Sequence, residues 1–248
     1  MKFIEFFDRT YIINLPERRD RRQGMAKELK RMGLPLTPGK VEIFPAVRPQ
    51  DPGLFEGIGV RGAFLSHLGV LQKAKAEGAR NVLVMEDDLA IHPDFSQYEA
   101  TLLTELQQMD WDIVNFGYLN DGETGLRDTA NFKPHLSANL VQFPLLRSFE
   151  GEKVGAHFYA VNGKTLEPLI QLFETLLESP LSYLEGGAIP ADGVFNVFKW
   201  KYPQRHRLIA VPSFGGQRSS RSDISPSWFD NVPILKHVAE VARGVLQA

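Results

Sequence analysis

The chain has 248 residues, 43% hydrophobic and 23% charged, an ordinary globular balance that suits one large α/β domain or two small ones sharing a core. It carries no cysteine, which excludes a disulfide scaffold, a thiolate zinc site and a cysteine nucleophile and is compatible with a reducing cytoplasm. A net charge of −2 and an isoelectric point of about 6.3 exclude the broad basic field that nucleic acid requires.

The opening Met1–Arg9 is broken by charge too early for a signal peptide. No apolar stretch approaches the ~20 residues of a spanning helix, so a soluble protein is expected, cytoplasmic or peripheral to the inner face of a membrane. Tyr11–Leu15 is a β-branched and aromatic run closed by Pro16, which predicts a buried strand ending in a turn. Met25, Leu29 and Met32 recur on one side of the charged stretch from Glu17, predicting an amphipathic helix stopped by Gly33 and Pro35. Val41–Phe44 predicts a second strand, and Arg48–Gly59, rich in Pro, Gly and Asp, a surface loop. A second helix is predicted over Val60–Ala76, with Phe64, His67, Leu68 and Leu71 on one stripe and Gly78 as its stop.

Asn81–Met85 is the strongest strand signal. It has no polar alternation, as in a central parallel strand covered on both faces. A helix over Phe95–Met109 and a strand over Asp112–Phe116 follow, and this alternation predicts a mostly parallel sheet flanked by helices in a single domain. Gly117–Glu150 predicts a long loop or a small hairpin. Then come a strand over Ala156–Val161, a helix over Leu166–Leu177, an aromatic segment Gly193–Trp200 and a late strand Leu208–Val211. A polar loop over Pro212–Pro226 and an amphipathic helix over Pro233–Leu246 close the chain.

Glu86-Asp87-Asp88 stands at the carboxyl end of the strongest strand, where open α/β sheets bind ligands. Crowded carboxylates repel one another, and a divalent cation, Mn²⁺ or Mg²⁺, relieves that repulsion through oxygen ligands. Such a site suits the diphosphate of a nucleotide sugar. The alternative is an acidic corner that caps the next helix through Asp94. In sugar transfer a further carboxylate takes the acceptor hydroxyl proton. Asp192, after Ile189-Pro190-Ala191, is the candidate base; the alternative is a helix N-cap, and residue chemistry alone favours the cap.

Six separated blocks carry a resemblance. They are Tyr11–Leu15 with Arg18 and Arg21; Gly59–His67, ending in Ser66-His67; Val82–Asp88; Gly155–Val161; Pro190-Ala191-Asp192; and Pro212-Ser213 with Gln217 and Ser222-Asp223-Ile224. In this order, from residue 10 to about 226, they resemble glycosyltransferase family 25, which includes bacterial lipooligosaccharide and collagen galactosyltransferases. The resemblance implies a GT-A-like fold, a UDP-sugar donor (UDP-galactose first), inversion at the anomeric carbon, and an oligosaccharide or lipid-linked acceptor in lipopolysaccharide or other surface-glycan synthesis. It implies Glu86 and Asp88 as metal ligands, and Asn14, Arg21, Ser66, His67, Glu86, Asp87 and Gln217 as donor contacts. It implies a donor-binding half over about 10–120, an acceptor and catalytic half over about 150–226, and a C-terminal helix over 233–247. Ala63 stands where the family often has Cys, and Glu86 where Asp is common. Residues 117–150 match nothing in the family, and acceptor choice is expected there.

Several residues have a plainer use. Arg18, Arg19 and Arg22 are expected on the surface, and His67 fits a half-buried helix stripe. Gln217, Ser220 and Arg221 lie in a Gly- and Ser-rich loop that suits either a lid over a nucleotide or a mobile surface turn. Trp200, Tyr202, Trp228 and Phe229 suit core packing more than sugar stacking. Lys236, His237 and Arg243 give the last helix a face for an anionic membrane, with docking on the domain's own core as the alternative. A catalytically silent binding protein on the same scaffold is the rival reading. A metal phosphohydrolase lacks an evident nucleophile motif.

Overall fold

The computed structural model describes residues 1–31, 33, 35–119, 144–151, 154–178 and 188–218. In chain order the elements are α1 (Phe3–Phe6), β1 (Arg9–Asn14), α2 (Arg19–Arg31), β2 (Val41–Pro45), α3 (Ile58–Ala76), β3 (Asn81–Glu86), β4 (Leu89–Ile91) and α4 (Phe95–Gln108). They continue with β5 (Ile113–Leu119), β6 (Leu146–Ser148), β7 (Val154–Asn162), α5 (Gly163–Glu178), α6 (Ala191–Lys201), β8 (Arg207–Ala210) and β9 (Gly215–Gln217).

Among the described residues the strands form one sheet, ordered β2-β1-β3-β7-β5-β8-β6, with β9 pairing both β4 and β5. β2, β1 and β3 run parallel, as crossovers through α2 and α3 require, and β5 and β8 are parallel as well. β7 runs antiparallel between β3 and β5. β3 therefore has one parallel and one antiparallel neighbour, which its sequence does not reveal because a strand buried on both faces shows no alternation. The fold is thus a single α/β domain around a central sheet, as the alternation of elements predicts.

Two apolar clusters fill the two faces. One joins Tyr11, Ile13, Val82, Val84 and Tyr159 of the sheet to Phe64, Phe173 and Phe195 of α3, α5 and α6. The other joins Ile12, Leu83, Met85 and Phe158 to Phe3, Met25, Leu29 and Phe95 of α1, α2 and α4. Phe3 sits edge-on to Phe95 and Phe116, both at 5.0 Å between ring centres. Burying each such side chain contributes roughly 1.5–3 kcal/mol. Gly78, at φ +66°, supplies the left-handed residue that stops α3.

At the amino end of β5 a buried carboxylate fastens three elements. Asp112 accepts hydrogen bonds from Thr165 Oγ1 at 2.5 Å, Arg205 Nη1 at 2.9 Å and His206 N at 2.8 Å. None of the helices among the described residues is long and apolar enough to cross a membrane.

The structure revises some local expectations. The segment after Asp192 is helix α6, and its N-cap is Pro190, so Asp192 lies inside the first turn instead of capping it. Within the predicted polar loop Pro212–Pro226, Gly215–Gln217 forms β9; two glycines and a glutamine carry no strand pattern. The predicted loop or hairpin after Gly117 begins as a continuation of β5 and ends in β6, with residues 120–143 outside the described residues. Also outside them are Ser220, Arg221, the Ser222-Asp223-Ile224 block, Trp228, Phe229 and the predicted helix over 233–247.

Candidate functional site

β3 delivers Glu86 to the carboxyl end of the sheet, and the chain turns sharply through Asp87 and Asp88 into β4. Asp94 does stand at the N-cap of α4, where its side chain makes no cap bond to the helix backbone and its Oδ1 accepts from Gln97 Nε2 at 3.1 Å.

Each carboxylate has different partners. Asp87 accepts from Asn14 Nδ2 at 2.6 Å and Arg21 Nη1 at 3.0 Å. The same Arg21 nitrogen lies 3.1 Å from Asp88 Oδ2, while Asp88 Oδ1 is buried with no hydrogen-bond partner. Glu86 is held at both oxygens, with His67 Nε2 at 3.2 Å from Oε1 and Gln217 Nε2 donating to Oε2 at 3.1 Å. Asn14 Oδ1 is a second buried oxygen here without a partner.

Charge and burial spread these acids apart. Burial, then the charges of Glu86 and Asp87, push Asp88 up to about 7 against the pull of Arg21 and Arg218. Burial also raises Asp87, more than Asn14 and Arg21 lower it. Glu86 meets the same burial penalty, but His67, His157 and Gln217 hold it below its ordinary value.

Arg218 completes the corner from β9. Its backbone N–H donates to Asp88 O at 2.7 Å and its Nη2 to Asp87 O at 2.8 Å. The guanidinium lies over α2 at Gly24, where a Cβ would stand 2.7 Å from Nη1. β9 itself approaches β5 closely, since a Cβ on Gly117 would meet Gly215 O at 2.9 Å and His157 Nε2 at 2.8 Å. His157 donates through Nε2 to Gly215 O at 3.1 Å, leaving Nδ1 buried and without a partner.

Asp192 approaches from α6. Its Oδ2 accepts from Gly155 N at 2.8 Å, where β7 begins, and its Oδ1 from Gly193 N at 3.0 Å. Burial, then the charge of Glu86, raises its pKa against those two hydrogen bonds. One turn further along α6, Asn196 Oδ1 accepts from the buried Arg207 Nη1 at 2.5 Å.

The residues singled out in the sequence thus separate into groups. Asn14, Arg21, Glu86, Asp87, Asp88 and Gln217 meet at one corner, and Asp192 shares its electrostatic field. His67 stands behind Glu86, 1% exposed, with Tyr159 Oη 3.0 Å from its Nδ1. Ser66 is elsewhere: its hydroxyl donates to Gly62 O at 2.6 Å and accepts from Val47 N at 2.8 Å, tying the segment after β2 to α3. Sequence reasoning missed Tyr159, His157 and Arg218. The i, i+2 spacing of His157 and Tyr159, which puts two polar groups on one strand face, was the available signal.

Among the described residues no group of three or more His, Asp or Glu side chains is arranged to hold a metal, so a protein-only cage is not what this corner offers. It offers one carboxylate oxygen, Asp88 Oδ1, with no other partner. Mg²⁺-type sites commonly combine one or two carboxylates with the phosphates of a substrate.

No protein-family model matches the chain. Among curated proteins it is 32% identical over 129 residues to a glycosyltransferase 25 family member of Aedes aegypti, covering 43% of this chain and 20% of that protein. It is 28% identical over 136 residues to procollagen galactosyltransferase 1 of Danio rerio, covering 45% and 21%. Over less than half its length, this chain is similar to glycosyltransferase family 25. A further relative in that family, inactive glycosyltransferase 25 family member 3 of Homo sapiens, is 28% identical over 129 residues, covering 45% and 22%. The chain spans about a fifth of the length of these relatives. A solved glycosyltransferase involved in the glycosylation of the major capsid of PBCV-1 aligns over 82% of both chains at a TM-score of 0.47 and 11% identity. That likeness is too loose to bear on function.

Proposed function

We propose that this chain transfers a sugar from a UDP-sugar, galactose first, to a saccharide acceptor, with a divalent metal and inversion at the anomeric carbon. The observation that carries the reading is one corner of the sheet. Two arginines and an acidic turn meet there around two buried oxygens without partners, and a carboxylate of raised pKa shares the corner's field. The similarity to family 25 glycosyltransferases supports it, with members named both as galactosyltransferase and as inactive.

In this reading Asp88 would hold the cation, with Glu86 as a further ligand if it gave up one of its present partners. The bound metal would supply positive charge to stabilise the departing diphosphate. Arg21 and Arg218 offer guanidinium forks to the phosphate oxygens. Asn14 Oδ1 is free to accept a hydrogen bond from the nucleobase. Asp192 takes the acceptor hydroxyl proton; burial makes it a stronger base than a solvated carboxylate, and the Gly155 and Gly193 N–H groups fix its orientation. The acceptor is a surface-glycan precursor such as that of a lipopolysaccharide, met from the cytoplasmic side.

A panel of UDP-galactose, UDP-glucose, UDP-N-acetylglucosamine and UDP-N-acetylgalactosamine, scored for UDP release with Mn²⁺, Mg²⁺ and chelator, tests the reading. Metal-dependent release from one donor supports it, and no release from any donor overturns it. A silent nucleotide-sugar-binding protein is the second reading. It is favoured by the full set of protein hydrogen bonds already made by Glu86 and Asp87. Metal-dependent UDP binding without release is its mark.

A further inference from the structure

We propose that Tyr159 is a positioning residue of this site: its hydroxyl donates to His67 Nδ1, which sets the ring's proton on Nε2 and aims it at Glu86. The proposal rests on the reading that the acidic corner receives the donor.

The geometry leaves the ring little choice. His67 Nε2 is 3.2 Å from Glu86 Oε1, and Nδ1 is 3.0 Å from Tyr159 Oη. A bare Nε2 lone pair facing a carboxylate oxygen at that distance would be repelled, so Nε2 carries the proton. In the neutral ring Nδ1 is then an acceptor, and the Tyr159 hydroxyl is the group in reach to fill it. Burial, then the charge of Glu86, pushes that hydroxyl well above its ordinary range, so it remains a donor.

Tyr159 has no exposed surface, so it acts through His67. Its ring packs on Phe195 at 4.7 Å and on His67 at 5.6 Å, contacts that phenylalanine would keep. The result is a hydrogen-bonded line from β7 through α3 to the last residue of β3, with Gln217 of β9 closing the other side of Glu86. Glu86 is thereby held in one orientation. Partners one step behind a functional carboxylate typically change affinity or activity by about 10–100-fold when removed.

The test is the nitrogen spectrum of ¹⁵N-histidine-labelled full chain at about pH 8, without metal or nucleotide. His67 is expected as the Nε2–H tautomer, and Tyr159→Phe is expected to lose that single form while keeping the fold. Where the chain releases UDP, Tyr159→Phe lowers turnover about 10-fold, and the same change in a His67→Gln background alters it less than about twofold. A wild-type His67 protonated on Nδ1, or an equal loss from Tyr159→Phe in both backgrounds, overturns the proposal. Absence of UDP release from every donor defeats the transferase reading instead, and the tautomer measurement decides the role of Tyr159 by itself.

Discussion

Arg21 places Nη1 3.1 Å from Asp88 Oδ2, and the same nitrogen lies 3.0 Å from Asp87 Oδ1. One guanidinium therefore spans two successive carboxylates and acts as their built-in counter-charge. It does not neutralise the corner, because Asp88 is still pushed up to about 7.

That displacement gives a signed stability prediction. An acid whose folded pKa is raised favours the folded state at pH below 3.8, and this contribution is lost as pH climbs toward about 7. Asp88→Asn, neutral at every pH, should therefore stabilise the metal-free protein by about 1–3 kcal/mol at about pH 8 and by little near pH 4. Thermal unfolding at both pH values checks this; an equal gain at both would remove Asp88 from the strained role. The same variant should abolish metal-dependent UDP binding.

Asp192→Asn should lower kcat by about 10²–10⁴-fold while leaving UDP affinity within about threefold. In the parent protein kcat should fall as acid protonates Asp192, with the midpoint above the ordinary carboxylate range because burial and Glu86 raise it. Steady-state rates across pH, with nucleotide titration of both proteins, decide the matter. Weaker UDP binding at unchanged kcat would make Asp192 a donor contact.

Gly24 sits inside α2, where alanine would ordinarily gain about 1 kcal/mol. Here a Cβ would stand 2.7 Å from Arg218 Nη1, the far end of a flexible side chain, so the arginine gives way and the helix does not. Gly24→Ala should leave the melting temperature unchanged or higher, yet weaken UDP binding by about 3–10-fold. In an Arg218→Ala background the same change should have no effect on binding.

Much of the domain is legible in the sequence, because its signals are local. Val82–Met85 reads as a buried strand from its unbroken apolar run, and Met25 with Leu29 marks the inner face of α2. Gly78 marks the end of α3. Pairing is a different matter. Nothing near residue 155 says that β7 inserts between β3 and β5, and Gly215-Gly216-Gln217 has no periodicity to reveal β9. The candidate site divides in the same way. The acidic turn stands out as a charge cluster after a strand, whereas Tyr159 looks like one more core aromatic until the fold brings it to His67. Asp192 looked like a cap because Pro190, with no side-chain acceptor, is an unobvious one.

Asp112 offers a control far from the acidic turn. It is 2% exposed and takes three hydrogen bonds, so Asp112→Ala leaves Arg205 and Thr165 without their acceptor. A loss of about 3–5 kcal/mol in unfolding free energy is expected, with UDP affinity unchanged in the protein that remains folded. Denaturant titration alongside nucleotide binding checks both halves.

The strand that carries Gln217 also has a bearing on how the protein comes into being. Gln217 meets Glu86 across 131 residues of chain. During synthesis, then, the carboxylates emerge early and must wait, with Arg21 as their companion, until nearly all of the sheet has left the ribosome. Only when β9 pairs with β4 does the corner gain the Gln217 and Arg218 donors, so its hydrogen bonding is completed by one of the last strands to emerge.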